Sequence, residues 1–189
     1  MISTMGTRVH ILGASGSGTS TLGRALARCL GAAHLDTDDF YWAPSDVPFT
    51  IKRSVEERLE LLGQSIGERE RWVLSGSLCS WGDPLIPLFT HVVFLYVPWD
   101  VRRIRLTNRE RLRYGEDALM PGGRMHEVSR AFLDWASRYD HAGLEQRSYA
   151  THDSWLGRLP DSCDVLRVEE ETEIQSLTER VQHWLASET

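Results

Sequence analysis

The chain has 189 residues, 41% hydrophobic and 25% charged, which suits one ordinary globular core. A formal net charge of −6 and a pI of about 5.6 argue against a broad nucleic-acid surface. Cys29, Cys79 and Cys163 are far apart and odd in number, which suits reduced thiols rather than a disulfide frame or a zinc site. No run approaches the roughly 18 apolar residues of a membrane span. Residues 1–6 lack the charged and apolar regions of a secretory leader. The expectation is a single cytoplasmic domain, monomer or homodimer, with neither nucleic acid nor membrane as partner.

In chain order, Arg8-Val9-His10-Ile11-Leu12 reads as a short strand. The next stretch, Gly13-Ala14-Ser15-Gly16-Ser17-Gly18-Thr19-Ser20, fits the phosphate-binding template G-x-x-x-x-G-K-[ST] at every fixed position but one. Thr19 stands where lysine belongs. Leu22, Ala25, Leu26, Cys29 and Leu30 then fall on one helical face. Such a loop turns several N–H groups onto phosphate oxygens, and the helix aims its positive dipole end at the same anion. Residues 13–20 together with Thr21 are therefore the candidate phosphate-binding set, and Ser20 the candidate Mg²⁺ hydroxyl. The plainer alternative is a glycine-rich turn packed on a helix.

Ala33-His34-Leu35 predicts a second strand, ending in Asp36-Thr37-Asp38-Asp39. If the extended backbone continues, Asp36 and Asp38 point the same way. Asp36 could then hold a Mg²⁺-bound water, while Asp38 accepts a proton from an acceptor hydroxyl or orients it. A solvated acidic turn is the alternative. Ile51, Val55, Leu59, Leu62 and Ile66 predict a helix, with Ser54 and Glu57 forming a capping box near its start. Trp72-Val73-Leu74 is a third strand closed by Ser75-Gly76-Ser77. Trp42 and Trp81 follow the second and third strands, where they either wall an acceptor pocket or fill the core. Residues 91–97 form the fourth strand, almost continuously apolar as a strand covered on both faces should be.

Residues 100–114 read as a basic helix in which Arg102, Arg105, Arg109 and Arg113 make one stripe. Arginine binds phosphate through a planar fork of donors, so a stripe running into the glycine-rich residues 115–123 suggests a lid over about 109–126. Arg109 and Arg113, with Arg130 beyond the loop, are the candidate cations for the transferring phosphoryl group. Ion pairing to Glu110 and Glu116 on an exposed face is the alternative. A second helix follows on Met125, Val128, Phe132, Trp135 and Tyr139; His126 beside the loop is a further phosphate candidate. Residues 142–160 show only a hint of helix at Trp155, Leu156 and Leu159. Val165-Leu166-Arg167-Val168 is a fifth strand. Thr172 and Gln175 suggest a capping box for a last helix with Leu177, Val181 and Leu185 on its apolar face.

Five strands alternating with helices predict an α/β fold, a three-layer α/β/α sandwich on a five-stranded parallel sheet. Ligands would bind at the carboxyl ends of the strands. Taken together, these residues resemble the small P-loop kinases grouped around adenylate kinase and shikimate kinase. More narrowly, GASGSGTST followed by DTDDFYW and SGSLCSWGDP resembles an adenylate-kinase-related bacterial group in which threonine commonly replaces the loop lysine. The resemblance implies a P-loop NTPase fold of the nucleoside-monophosphate-kinase kind with a helical lid. It further implies ATP and Mg²⁺ as requirements, Asp36 as metal support, Asp38 as acceptor contact, and residues 40–68 as the acceptor-binding insertion. Two departures matter. Thr19 removes a charge-assisted phosphate contact worth roughly 1.5–3 kcal/mol, and neither the third nor the fourth strand ends in the aspartate of a usual Walker B strand. The reading is a kinase acting on a small nucleotide-like or hydroxylated metabolite. The alternative is a nucleotide-binding regulatory protein without efficient phosphotransfer.

Overall fold

Alternate residues of five parallel strands feed two separate cores in the computed structural model, which describes residues 6–187. Residues 1–5, most of the stretch without a leader pattern, lie outside the described residues. The strands are β1 (Arg8–Gly13), β2 (Ala33–Asp36), β3 (Trp72–Ser75), β4 (His91–Leu95) and β5 (Asp164–Val168), paired in the order β2-β3-β1-β4-β5. Every pairing is parallel. The helices in chain order are α1 (Thr19–Leu30), α2 (Thr37–Tyr41), α3 (Val55–Ile66), α4 (Trp99–Tyr114), α5 (Glu116–Leu119), α6 (His126–Ser137), α7 (Tyr149–Leu156) and α8 (Ile174–Ser187).

Val9, Ile11, Val73, Val93 and Leu95 point to the face covered by α1 and α8, where they meet Leu22, Leu26, Val181 and Leu185. Leu12, Trp72, Leu74, Val92 and Phe94 point to the other face, against Leu62, Ile66 and Trp155. Period-two alternation with both faces apolar is what a parallel sheet between two helical layers requires. The connections from β1 run first to one edge of the sheet and later to the other. Its carboxyl end therefore lies at the topological switch, the place where open parallel sheets bind ligands.

Ser54 caps α3 through the expected reciprocal box with Glu57. Three local expectations are corrected. The chain does not stay extended past Asp36; it turns at once into α2, with the Asp36 side chain capping that helix. Within residues 115–123 the short helix α5 forms where loop was expected. The Thr172–Gln175 box is absent: α8 begins one residue later than that box requires, the Leu177 N–H donates to the Glu173 carbonyl, and Gln175 donates to Glu179 instead. The ambiguous stretch holds α7, capped by Ser148, whose hydroxyl accepts from the Thr151 N–H.

Candidate active site

The loop after β1 has a geometry that suits an anion. Ser17 N–H donates to the Ala14 carbonyl at 3.0 Å, and Gly18, at φ +99°, turns the chain into α1. A Cβ at Gly18 would meet nothing within 4 Å, so the side of the loop facing away from the core is open. The first turn of α1 carries Thr19, Ser20 and Thr21 and no acidic residue, leaving its positive dipole end uncompensated. Ser17 is buried, and its hydroxyl has no partner. An orphaned hydroxyl beside unpaired helix N–H groups fits a phosphate oxygen or its water.

At the end of β2, Asp36 pairs in register with Ser75 of β3. One carboxylate oxygen accepts from the Asp38 N–H at 3.1 Å, the other from the Ser75 hydroxyl at 3.0 Å. Ser75 in turn accepts from His34 Nε2 at 2.9 Å. Asp36 is thus oriented from both sides and keeps lone pairs for a water of a hydrated cation. Among the described residues no cluster of three metal-ligating side chains occurs. Mg²⁺ does not need one, since it is commonly held by one or two protein groups, waters and substrate phosphates.

Asp38 is exposed by surface area yet sits among crowding groups, so desolvation pushes its pKa up. Arg147 opposes that shift most strongly and the Asp36 charge reinforces it. The Trp42 side chain, by a hydrogen bond, and Arg109 oppose it further. Arg109 is itself pushed down by burial and then by Arg113, and its guanidinium lies 5.4 Å from the Phe132 ring. The Arg113 guanidinium lies 4.7 Å from the Phe49 ring, so α4 touches the segment between β2 and α3. Asp36, Asp38, Arg109 and Arg113 are thereby gathered at one end of the sheet.

The rest of the arginine stripe is dispersed. Arg102 is fully buried and donates to the Val97 carbonyl, the Ala136 carbonyl and Asp140. Arg105 pairs with Glu171 at 2.9 Å. Arg130 is not brought to Asp38: it pairs with Glu127 at 2.6 Å and lines a different cavity with Arg111. His126 donates from Nδ1 to the Leu119 carbonyl and serves the turn before α6. Trp81 is core, 3% exposed, whereas Trp42 is half-buried beside Asp38.

Two arginines escaped the sequence reading. Arg147 precedes α7 in the ambiguous stretch, where no periodicity marks it, and its guanidinium lies over the Trp135 ring. Arg58 is 7% exposed, its guanidinium 3.8 Å from the Tyr41 ring and its Nε without a partner. A signal for Arg58 did exist: it lies three residues after Val55 and four before Leu62, on the buried side of an amphipathic helix.

The sheet order, the loop at its switch point and the acidic strand end define a P-loop kinase fold. Solved structures share it over nearly their whole length. Shikimate kinase from Acinetobacter baumannii, in complex with shikimate, matches with a TM-score of 0.55 at 17% identity, covering 97% of this chain and 94% of that one. A gluconokinase from Sinorhizobium meliloti 1021 matches at 0.53 and 17% identity, covering 97% and 93%. A sugar kinase from Janibacter sp. HTCC2649 matches at 0.53 and 17%, covering 95% and 94%. No family model matches the chain. The chain is 48% identical over 179 residues to the uncharacterized protein YqaC of Bacillus subtilis (strain 168), spanning 95% of this chain and 97% of that protein. It belongs to the same family as YqaC. No described helix is long and apolar enough to cross a membrane.

Proposed function

We propose that this protein transfers the terminal phosphoryl group of ATP, with Mg²⁺, to a hydroxyl of a small hydroxylated or nucleotide-like metabolite. The observation that carries the reading is Asp38 under the joint influence of Arg147 and Arg109, next to Asp36, at the same end of the parallel sheet as the loop after β1. Residues 13–21 bind the donor phosphates through backbone N–H groups. Ser20 and a water on Asp36 would hold Mg²⁺, which supplies positive charge to the phosphate oxygens. Asp38 accepts the acceptor's hydroxyl proton as its oxygen forms a bond to the γ-phosphorus. The bond from that phosphorus to the β-bridging oxygen breaks, and ADP leaves. A pKa raised by desolvation makes Asp38 a better base than an ordinary aspartate.

Arg109 and Arg113 neutralise charge on the transferring group, as arginine does in this chemistry. Residues 40–68 present the acceptor and residues 109–126 close over it within one domain; the Arg113–Phe49 contact supports that pairing of segments. Arg58 and Arg147 suit an acceptor that carries an anionic group in addition to its hydroxyl. Arg130 is left out of this set because its ion pair with Glu127 and its separate cavity give it other work.

Calorimetric titration with ATP, with and without Mg²⁺, tests the first requirement, and a screen of hydroxylated metabolites and nucleoside monophosphates follows. Mg²⁺-assisted, saturable binding followed by turnover is expected. No binding at several-millimolar ATP would sink the proposal. Thr19 favours a second reading, a nucleotide-binding regulator. Arg102 and Arg105 are already engaged with Asp140 and Glu171, which leaves fewer cations to replace the missing lysine. Turnover only in Thr19→Lys would favour that regulator.

A further inference from the structure

His34 sits where β2, β3 and α1 meet. Its Nε2 lies 2.9 Å from Ser75 Oγ of β3, and α1 packs against both residues at Gly23. A Cβ at Gly23 would lie 2.7 Å from His34 Nε2 and 3.1 Å from Ser75 Cβ, so this close approach needs glycine. Gly23 follows Ser20 by three residues, which puts it on the same side of α1 as the candidate metal hydroxyl. Ser75 is fully buried. Its hydroxyl has three neighbours: His34 Nε2 at 2.9 Å, Asp36 Oδ2 at 3.0 Å and the Leu35 carbonyl at 3.4 Å.

A hydroxyl has one proton to give, and an ionised carboxylate only accepts. The charge-assisted bond to Asp36 is the stronger use of that proton. The bond between His34 and Ser75 must then run from an Nε2–H into the hydroxyl oxygen. A neutral imidazole carries one ring proton, so Nδ1 is bare. In the opposite tautomer Nε2 would take the serine proton, and Asp36 would lose its donor on that side while keeping the Asp38 N–H on its other oxygen. The tautomer of His34 thus decides whether the Asp36 carboxylate is held at one oxygen or at both. We propose that His34 is a positioning residue: its Nε2–H aims the Ser75 hydroxyl at Asp36 and so fixes the carboxylate that supports hydrated Mg²⁺. It acts through Ser75 and not on the metal. The metal side of this inference rests on the proposed phosphoryl transfer; the tautomer does not.

Two measurements on the full chain test it. The first is an imidazole nitrogen–proton NMR correlation of the ligand-free protein at about pH 8, where histidine is neutral, with His34 assigned by the signal that His34→Leu removes. The Nε2–H tautomer is expected. The Nδ1–H form, or an even mixture, would overturn the proposal whatever the protein does with ATP. The second is the Mg²⁺ concentration that gives half of the full enhancement of ATP binding in calorimetry. His34→Leu keeps much of the ring's volume without a donor and should raise that concentration about ten-fold, the low end for groups that orient a metal's ligands. ATP affinity without metal should be unchanged. Ser75→Ala should act likewise, and the double variant no more than either single, because both cut one relay. His34→Gln, which retains a donor amide, should recover part of the loss. An unchanged Mg²⁺ requirement in His34→Leu, additive single variants, or an equal loss of metal-free ATP affinity would each overturn the positioning role alone. A parent protein whose ATP binding ignores Mg²⁺ would sink the phosphoryl-transfer reading and this role with it.

Discussion

Gly76, between Ser75 and Ser77 at the end of β3, is where the fold and the proposed chemistry press most closely on each other. Its φ is +109°, and an added Cβ would lie 1.9 Å from Thr37 Oγ1 and 3.0 Å from Thr37 Cβ. Thr37 is the buried first residue of α2, between Asp36 and Asp38. Gly76→Ala therefore carries two costs: about 1–3 kcal/mol for a side chain in an unfavourable backbone region and about 1–3 kcal/mol for overpacking. Together they reach a substantial part of the ~5–15 kcal/mol that stabilises a domain. Relief requires α2 to retreat from β3, which would strain the 3.0 Å Ser75–Asp36 hydrogen bond and displace Asp38. Urea unfolding at constant m-value reads the stability loss, and calorimetry reads ATP binding. Stability and turnover should fall while ATP binding at residues 13–20 persists. Removing Oγ1 and Cγ2 in the Gly76→Ala/Thr37→Ala double variant should restore about 1 kcal/mol or more relative to additivity. The torsional cost remains. A Gly76→Ala protein within about 0.5 kcal/mol of the parent, or strictly additive variants, would refute the reasoning.

Other consequences can be checked with the same protein. Desolvation holds the Asp38 pKa above its ordinary value, so turnover should fall with decreasing pH through a step above the usual aspartate range. The sign for stability is the reverse. The folded state holds the Asp38 proton more tightly than the unfolded one, so ionising Asp38 lowers stability as pH rises through that interval. Asp38→Asn should lose turnover yet be the more stable protein at neutral pH; a less stable variant would contradict the desolvation argument. Burial lowers the pKa of His10 to about 4 and of His152 to about 3. Below pH 6.5 the unfolded chain takes up protons that these rings refuse, so stability falls as pH drops. The slope is about 1.4 kcal/mol per pH unit per histidine. His152→Gln should lessen the slope between pH 6.5 and 4.5 by about 1.4 kcal/mol per pH unit, and an unaltered acid-unfolding curve would count against it. Arg102→Ala leaves Asp140 and two carbonyls without their donor and should cost about 3–5 kcal/mol. Arg102→Lys should recover less than half of that, because one ammonium does not span three acceptors; a native-like midpoint in urea would show that the buried fork is dispensable.

The stretches legible in advance were those whose physics is local. Residues 8–30 declare themselves because strand, glycine turn and helix are contiguous, and the anion cradle consists of backbone N–H groups from neighbouring residues. Ser54 and Glu57 are likewise three apart, and their capping box forms as written. Thr172 and Gln175 have the same spacing and make no box, because α8 starts at Ile174, one residue further on than that box requires. Arg102 and Arg109 belong to one stripe by spacing and differ in fate. Packing of α6 and the turn after it buries the first against Asp140, while the second reaches toward Asp38.

What the chain by itself determined was the order of elements, the apolar periods that sort each strand between two cores, the phosphate loop with its missing lysine and the acidic end of β2. These follow from residue spacing, which dictates which side chains share a face. Tertiary structure alone decided which distant groups share a site. Asp38 and Arg147 lie far apart in sequence and come together because parallel crossovers collect the carboxyl ends of the strands and the segments that follow them on one side of the sheet. Arg58 lies buried on the inner face of α3 with its guanidinium over the Tyr41 ring. Arg130 and Arg113 flank the same loop, yet the first pairs with Glu127 and the second lies over the Phe49 ring. Such pairings depend on the packing of whole elements, and no local pattern encodes them.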